Sequence, residues 1–406
     1  MKIPPPFLIS WNITKRCNLK CAHCYLDASE LAGNAELSTE GAKAVIDGIA
    51  ALNPQSMLIL TGGEPLMRDD CLTLSAYAAS RGITVVLGTN GTMLDKKTVA
   101  RMAAAASGVK GVGVSLDSST PSYHDRFRGI AGSWKKVDSG IDVLREYGVD
   151  FNIQLTVMRD NISEIEPVIE YSLKKGARAV NIFFLVCTGR GQDMVDITPG
   201  EYETILTRLM DITNVYEKRI MVRARCAPHF LRIVRQKDPQ SPLLSATSGC
   251  IAGTGYLRIT PEGYVTPCPY IPTVAGNLRE AGLKEIWEDA EVFKILRDKR
   301  YAGRCSACEY SDICGGCRAK ALARTSNIMG EDPWCEYEPK GKPSSPLRAV
   351  TTTEVVWTEE AEERLSKVPG FLRGMVKKGV ERYVREKGLD RVTPEIMSEL
   401  KKRTGR

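Results

Sequence analysis

Cys17, Cys21 and Cys24 fall within eight residues of the stretch "ITKRCNLKCAHCYLDA", and no fourth thiol follows nearby. Three thiolates with one position left over have two chemical readings. A [4Fe–4S] cube held by three cysteines leaves one iron free to chelate a small molecule through an amine and a carboxylate. Three protein ligands plus a water also suit a catalytic zinc.

The other cysteines are spread more widely. Cys305, Cys308, Cys314, Cys317 and Cys335 form a second group, with Cys250 and Cys268 upstream. The pattern is C-x17-C, then C-x2-C-x5-C-x2-C-x17-C. Paired C-x2-C units with downstream partners are one way to build a zinc site. Cys226 stands apart in "RARCAPHF", and Cys71 and Cys187 read as small buried hydrophobes.

Composition bounds the class. The chain has 406 residues, 43% hydrophobic and 26% charged, with 13 cysteines and a net charge of +7. Such a length holds two or three domains around a large core. No apolar run is long enough for a membrane span. The start, "MKIPPPFLISW", lacks the order of a signal peptide, so a cytoplasmic location is expected. In a reducing compartment clustered cysteines mean metal or redox sites rather than disulfides. No basic block or aromatic–basic array suggests nucleic acid. The positive charge is either a solvated surface or a sign of an anionic substrate.

The elements that must position the thiols follow from pattern. "FLISWNIT", "SMLILTGGEP", "ITVVLGTNG", "GVGVSLDS", "FNIQLTVM" and "VNIFFLVCTG" read as strands. Helical stretches lie between them, such as the one after Ser38, a fitting N-cap, and "SWKKVDSGIDVLREYG". Repeated strand–helix alternation predicts a parallel sheet with helices outside. The three-cysteine loop follows the first strand, so it lies on the C-terminal face where such sheets carry their sites.

C-x3-C-x2-C after a strand, followed by "TGGEP", resembles the radical S-adenosylmethionine (SAM) superfamily, and that resemblance decides against zinc. It implies an α/β fold, a partial (β/α)6 TIM-like barrel. It also implies that the iron left free binds the amino and carboxylate groups of SAM, and that one electron cleaves SAM to methionine and a 5′-deoxyadenosyl radical. Carried over by motif, the cofactor-binding residues are His23 and Tyr25 beside the cysteines, and Gly62, Gly63, Glu64 and Pro65. Asn90 of "GTNG", Ser115 and Asp117 of "SLD", Gln154 and Thr156 of "QLTV", and Val186 complete the set. The resemblance implies that the "TGGEP" backbone and the Glu64 carboxylate meet the methionine ammonium. His23 stands where the family often has an aromatic residue; it either packs near the cofactors or lies at the surface.

Beside such a barrel the second cysteine group resembles a SPASM domain, an auxiliary iron–sulfur module. On that pattern Cys305, Cys308, Cys314 and Cys335 hold one auxiliary cluster. Cys250, Cys268 and Cys317 contribute to another. The chain departs from the usual spacing between Cys314 and Cys317 and lacks an extra cysteine after Cys250. Either Cys226 completes the second set, its thiolate favoured by Arg223 and Arg225, or that cluster has an open or non-cysteine site, or it is absent.

"HDRFRG", "RARCAPHF" and "CGGCRAKA" resemble the haem-synthesis branch of this family, which includes the haem b synthase acting on iron-coproporphyrin III and enzymes that trim side chains for haem d1. A porphyrin bearing several carboxylates calls for guanidinium partners. Arg126, Arg128, Arg190, Arg223 and Arg225 are the candidates, each of which could instead be a surface charge. The tail, after the Pro/Ser/Thr-rich "GKPSSPLRAVTTTE", resembles the small helical domain of light-independent protochlorophyllide reductase. Thr358 would cap its first helix. Val368-Pro369-Gly370 would break it, and Phe371, Met375, Val376, Val380, Tyr383 and Val384 would form an apolar stripe. The expected organisation is a barrel over 1–215, a connecting segment over 216–249, the SPASM domain over 250–340, a linker over 341–353 and a helical tail over 354–406. The resemblance implies a tetrapyrrole substrate, with a peptide or protein as the other choice. It also implies a reductant such as flavodoxin or ferredoxin.

Overall fold

The computed structural model describes residues 3–30, 35–192, 194, 197–246, 249–341, 355–368, 373, 376–377, 379–381, 383–384, 387 and 389–404. The six expected strands all form: β1 (Leu8–Asn12), β2 (Met57–Thr61), β3 (Thr84–Thr89), β4 (Val109–Ser115), β5 (Phe151–Val157) and β6 (Ala179–Phe184). Between them lie α1 (Thr39–Leu52), α2 (Cys71–Ser80), α3 (Lys96–Ala103), α4 (Pro121–Arg128), α5 (Ser133–Glu146) and α6 (Ile165–Lys175). Ser38 caps α1, its side chain accepting from the Gly41 N–H at 3.2 Å.

The segment expected to be a connector is more than that. After α7 (Pro199–Tyr216) the chain adds a seventh parallel strand, β7 (Met221–Arg225), and then α8 (His229–Lys237). The cysteine-rich half also joins the same sheet. β8 (Tyr256–Ile259) pairs in parallel with β1, and β9 (Tyr264–Thr266) and β10 (Gly276–Asn277) extend that side in antiparallel fashion. The order is β10-β9-β8-β1-β2-β3-β4-β5-β6-β7, and among the described residues nothing joins its two edges.

Alternation along the strands explains the open barrel. Leu58, Leu60, Val85, Leu87, Val112, Val114, Ile153 and Leu155 are fully buried under the helices. The other face is half exposed: Ile59 and Thr61 on β2, Asn152, Gln154 and Thr156 on β5. A sheet packed on both faces would read as continuous apolar runs; this one keeps a polar, accessible concave face. Because β1 to β7 run in parallel, their C-terminal ends share one edge. The three-cysteine loop, "GGEP", "NG", "LD" and Cys226 all leave from it.

The tail holds β11 (Val356–Trp357) and β12 (Arg391–Val392) as a parallel pair, with helices Glu359–Ser366 and Pro394–Thr404. It is thus a small α/β unit rather than purely helical. Thr358 caps the first of these helices, and Ala361, Leu365, Val380, Val384, Val392 and Met397 form its core. The linker after 341, Pro369, Gly370, Phe371 and Met375 lie outside the described residues.

Candidate functional site

The three-cysteine loop is gathered by bonds from outside itself. The Cys17 N–H donates to Ser29 O at 2.7 Å, Lys20 N–H to Arg128 O at 3.0 Å and Ala22 N–H to Phe127 O at 3.2 Å. Arg190 pins the loop's other side, donating to Cys21 O at 3.1 Å and Ala28 O at 2.9 Å and pairing with Asp27 at 3.0 Å. The Cys17, Cys21 and Cys24 side chains pack in one cluster with Leu19 and Ala28. Burial, with smaller contributions from Glu64, Cys21 and Cys24, pushes the Cys17 thiol up to about 11 against the lowering effect of a backbone bond at Leu19. Such a thiol stays protonated at neutral pH unless a cation takes the proton's place. Two donors already face the sulfurs: Asn90 Nδ2 is 3.8 Å from Cys17 Sγ and Arg128 Nη1 is 3.6 Å from Cys21 Sγ.

Two residues expected at the cofactor are fully buried and bonded within the protein. Glu64 has no exposed surface. Its carboxylate accepts from Thr89 Oγ1 at 2.8 Å, from the Asn90 N–H at 2.8 Å and from the Leu66 N–H at 3.2 Å. Burial raises it to about 7 against those bonds. It braces the ends of β2 and β3. Asp117 is equally enclosed, accepting from Arg128 Nε at 2.6 Å and from the Thr156 N–H at 3.0 Å. Burial alone would raise its carboxyl, but Arg128, His23, His124 and the Thr156 N–H together outweigh that and hold it below the usual range.

The glycine pair has a local reason. A Cβ on Gly62 would stand 2.4 Å from Thr14 O, and one on Gly63 would stand 2.2 Å from Arg16 O. The Gly63 and Glu64 N–H groups donate to those same carbonyls at 2.8 and 2.7 Å. The close approach is therefore to the start of the thiol loop. Pro65 is buried at the first position of the following turn. Val186 is buried, its carbonyl accepting from Thr188 Oγ1 at 3.3 Å. His23 stacks on Phe127 with ring centroids 4.4 Å apart, so it packs rather than lying free at the surface. Tyr25 accepts from Asn12 Nδ2 at 2.9 Å.

The concave face carries a polar row in register: Ser115 on β4, Gln154 on β5, Asn181 on β6 and Arg223 on β7. The next row holds Thr156, Phe183 and Arg225. Arg225 donates to Asn181 Oδ1 at 3.2 Å. Its side chain is accessible yet walled by protein, and that burial lowers its affinity for a proton. The five arginines thus separate. Arg223 and Arg225 line the concavity. Arg128 is spent on Asp117 and Cys21, Arg190 on the loop backbone, and Arg126 lies exposed over the Tyr123 ring. Arg128 and Arg190 are thus engaged within the protein, and Arg126 stands apart from the concave face.

The remaining cysteines form two sets. Cys305, Cys308, Cys314 and Cys335 line one cavity with His229, Arg232 and Ser311, enclosing about 290 Å³ of empty space including its mouth. Cys226, Cys250, Cys268 and Cys317 pack together with Val186, Ile271, Tyr256 and Tyr270. Cys226 adopts a left-handed φ of 55°, which costs a side-chain-bearing residue energy and turns its thiol off the end of β7. The expectation that arginines make it a ready thiolate is corrected. Burial pushes the Cys226 thiol up to about 11, more than Lys320 and Arg225 lower it. Among the described residues no three His, Cys, Asp or Glu groups close to single-ion distances, and the set of Cys305, Cys308, Cys314 and Cys335 borders room for a multi-atom group. Sets of three, four and four thiols with cationic or N–H donors beside them suit anionic iron–sulfur clusters.

Sequence reasoning passed over the residues between these sets. Arg258 donates to Asn12 Oδ1 at 2.5 Å and lies over the Tyr25 ring. Tyr270 meets Tyr25 edge-on, with centroids 5.3 Å apart. Asp332, fully buried, accepts from the Cys317 N–H at 2.7 Å and faces His229 Nε2 at 3.2 Å. Of these, His229 alone had a signal, its place in "RARCAPHF".

Comparison with known proteins agrees with this geometry. The radical SAM superfamily profile matches residues 11–172, the iron–sulfur cluster-binding SPASM profile matches 250–309, and that of the proto-chlorophyllide reductase 57 kD subunit matches 357–401. The AdoMet-dependent heme synthase of Methanosarcina barkeri is 40% identical over 347 residues, covering 83% of this chain and 98% of that protein. The Fe-coproporphyrin III synthase of the same organism is 30% identical, covering 81% and 87%. Among solved structures, Streptococcus suis SuiB bound to S-adenosylmethionine superposes with a TM-score of 0.66 at 17% identity, covering 82% of this chain and 78% of that one; this likeness concerns the fold.

Proposed function

Because the chain belongs to the radical SAM/SPASM family, in its haem-biosynthesis branch, we propose that it oxidatively decarboxylates propionate side chains of iron-coproporphyrin III to vinyl groups. The observation that carries this reading is the arginine pair of β7. Arg223 and Arg225 stand on the concave face, in the strand that ends at Cys226. A guanidinium in a walled, accessible place suits a carboxylate, which it grips with two parallel bonds. When bound, the first cluster and SAM supply one-electron reductive cleavage and hydrogen abstraction.

The chain's own residues do the rest. Cys17, Cys21 and Cys24 would hold the first cluster, with Asn90 and Arg128 donating toward the sulfurs. Ser115, Gln154 and Thr156 offer polar contacts to the nucleoside on the concave face. Arg225, held by Asn181, would orient one propionate. Each conversion of a CH2–CH2–COO⁻ arm to vinyl releases carbon dioxide, one hydrogen atom to the abstracting radical and one electron. Cys226, Cys250, Cys268 and Cys317, beside Arg225, would hold the auxiliary cluster that supplies an acceptor for that electron. Reducing equivalents would come from a flavodoxin or ferredoxin in the cytosol. No described helix is long and apolar enough to cross a membrane.

The test is anaerobic incubation with SAM, a reductant and iron-coproporphyrin III, read by mass spectrometry. The expected change is a loss of about 46 mass units per vinyl, carbon dioxide plus two hydrogens. SAM cleavage with no change in iron-coproporphyrin III would refute the reading. Arg225→Gln should raise KM for the porphyrin by about 10- to 100-fold, the worth of a charge-assisted bond.

A further inference from the structure

Lys320 lies in the helix Arg318–Thr325, just beyond Cys317, and is 1% exposed. Its Nζ has no hydrogen-bond partner, and no carboxylate stands within ion-pair distance of it among the described residues. Two aromatic faces enclose it, Tyr202 with its ring centroid 4.2 Å from Nζ and Trp334 at 4.9 Å. A buried ammonium left in this state is costly, and ring faces offset only part of that cost. The charge is felt at Cys226, Cys317 and Asp332. Asp332, the nearest acid in this set, already serves the Cys317 and Trp334 N–H groups and faces His229.

What is missing around Lys320 is an anion, and the side of it facing Cys226 and Cys317 is where a thiolate-bound cluster would bring one. We propose that Lys320 is the counter-charge of the auxiliary cluster held by Cys226, Cys250, Cys268 and Cys317, and that it raises that cluster's reduction potential so that it accepts electrons. A fixed cation stabilises the more negative, reduced state over the oxidised one. The inference rests on the cofactors and stands whichever substrate the enzyme takes.

The experiment is an anaerobic redox titration of the full, reconstituted chain, followed by electron paramagnetic resonance. The cluster in question is identified as the signal absent from Cys226→Ala. Lys320→Met removes the charge and keeps the bulk; Lys320→Arg keeps the charge. In Lys320→Met the reduced-to-oxidised ratio of that cluster at a fixed potential should fall about tenfold, a midpoint 59 mV more negative for one electron. Lys320→Arg should stay near wild type. Loss of that cluster's iron in Lys320→Met but not in Lys320→Arg would also support the proposal. An unchanged midpoint in Lys320→Met, or equal shifts or equal iron loss in both variants, would overturn it.

Discussion

The first thiol set and the two auxiliary sets are gathered in opposite ways. Cys17, Cys21 and Cys24 belong to one loop, tied down by Ser29, Phe127, Arg128 and Arg190 through bonds that need no metal. The auxiliary sets draw on β7, the approach to β8, the turn after β9 and the segment from Cys305 to Cys335. Their thiols meet only because separate pieces of chain close on each other. Left-handed backbone adds strain at Cys226, while Gly315 and Gly316 take it without a side chain to clash. A loop that is held from outside presents its ligands and leaves one position for a small molecule. A site assembled from distant segments encloses its cluster and leans on it for stability.

The largest expected effect separates the two regions outright. Cys21→Ala should reduce 5′-deoxyadenosine formation by at least about a thousandfold, since it removes one of three ligands to the cluster that meets SAM. Auxiliary iron should remain. Product analysis and an iron assay on the same sample check both halves, and unimpaired SAM cleavage would break the comparison from the loop's side.

The converse change is Cys226→Ala. It should cost about four irons per chain while SAM binding stays intact, because Cys226 lies outside the loop. Full iron content with an unaltered spectrum would show that Cys226 is no ligand and that the second auxiliary site differs from the first.

A third change probes the assembled backbone. Gly316 has φ 63°, and a Cβ there would stand 2.8 Å from Asp332 Cβ and 2.6 Å from an Arg318 nitrogen. Gly316→Ala should destabilise the protein by about 1–3 kcal/mol and weaken iron retention at Cys314 more than at the loop. Denaturation midpoints and site-resolved iron loss to a chelator measure this.

The smallest effect concerns the loop's support. His124, buried in α4, accepts from the Asp117 N–H at 3.3 Å. Burial, then Arg128, lowers its pKa to about 4. The unfolded histidine takes a proton near its ordinary 6.5 while the folded one stays neutral. Its contribution is therefore present above that value and is lost as pH falls through about 4. By pH 5 the loss should be on the order of 2 kcal/mol. Denaturant titrations of wild type and His124→Asn at pH 7 and 5 should show a steeper drop for the wild type. Equal drops would remove His124 from the account.

Much of this was legible in the chain. The six strands follow from β-branched runs with turn residues at their ends, and the first thiol set from spacing within one loop. β7 escaped because "MVRAR" puts two arginines in a five-residue strand, on the side that faces the concavity rather than the core. Glu64 and Asp117 were read as ligand contacts because a motif names a residue and not its burial. Lys320 lay inside the quoted "CGGCRAKA", but its burial gave no signal, since a lysine in "RAKALART" has the pattern of a solvated helix face. Cys226 was reachable by counting thiols, but what makes it a plausible ligand is the turn at the end of β7, which no spacing rule contains.

The central claim is that one three-thiol site and two four-thiol sites share this chain. Reconstituting the wild type anaerobically, counting iron and zinc, and recording paramagnetic spectra of the reduced protein with and without SAM tests it most directly. The account predicts about twelve irons per chain, no firmly bound zinc, and a change on adding SAM in one of three cluster signals. About four irons with zinc retained, or SAM perturbing none of the signals, would contradict it.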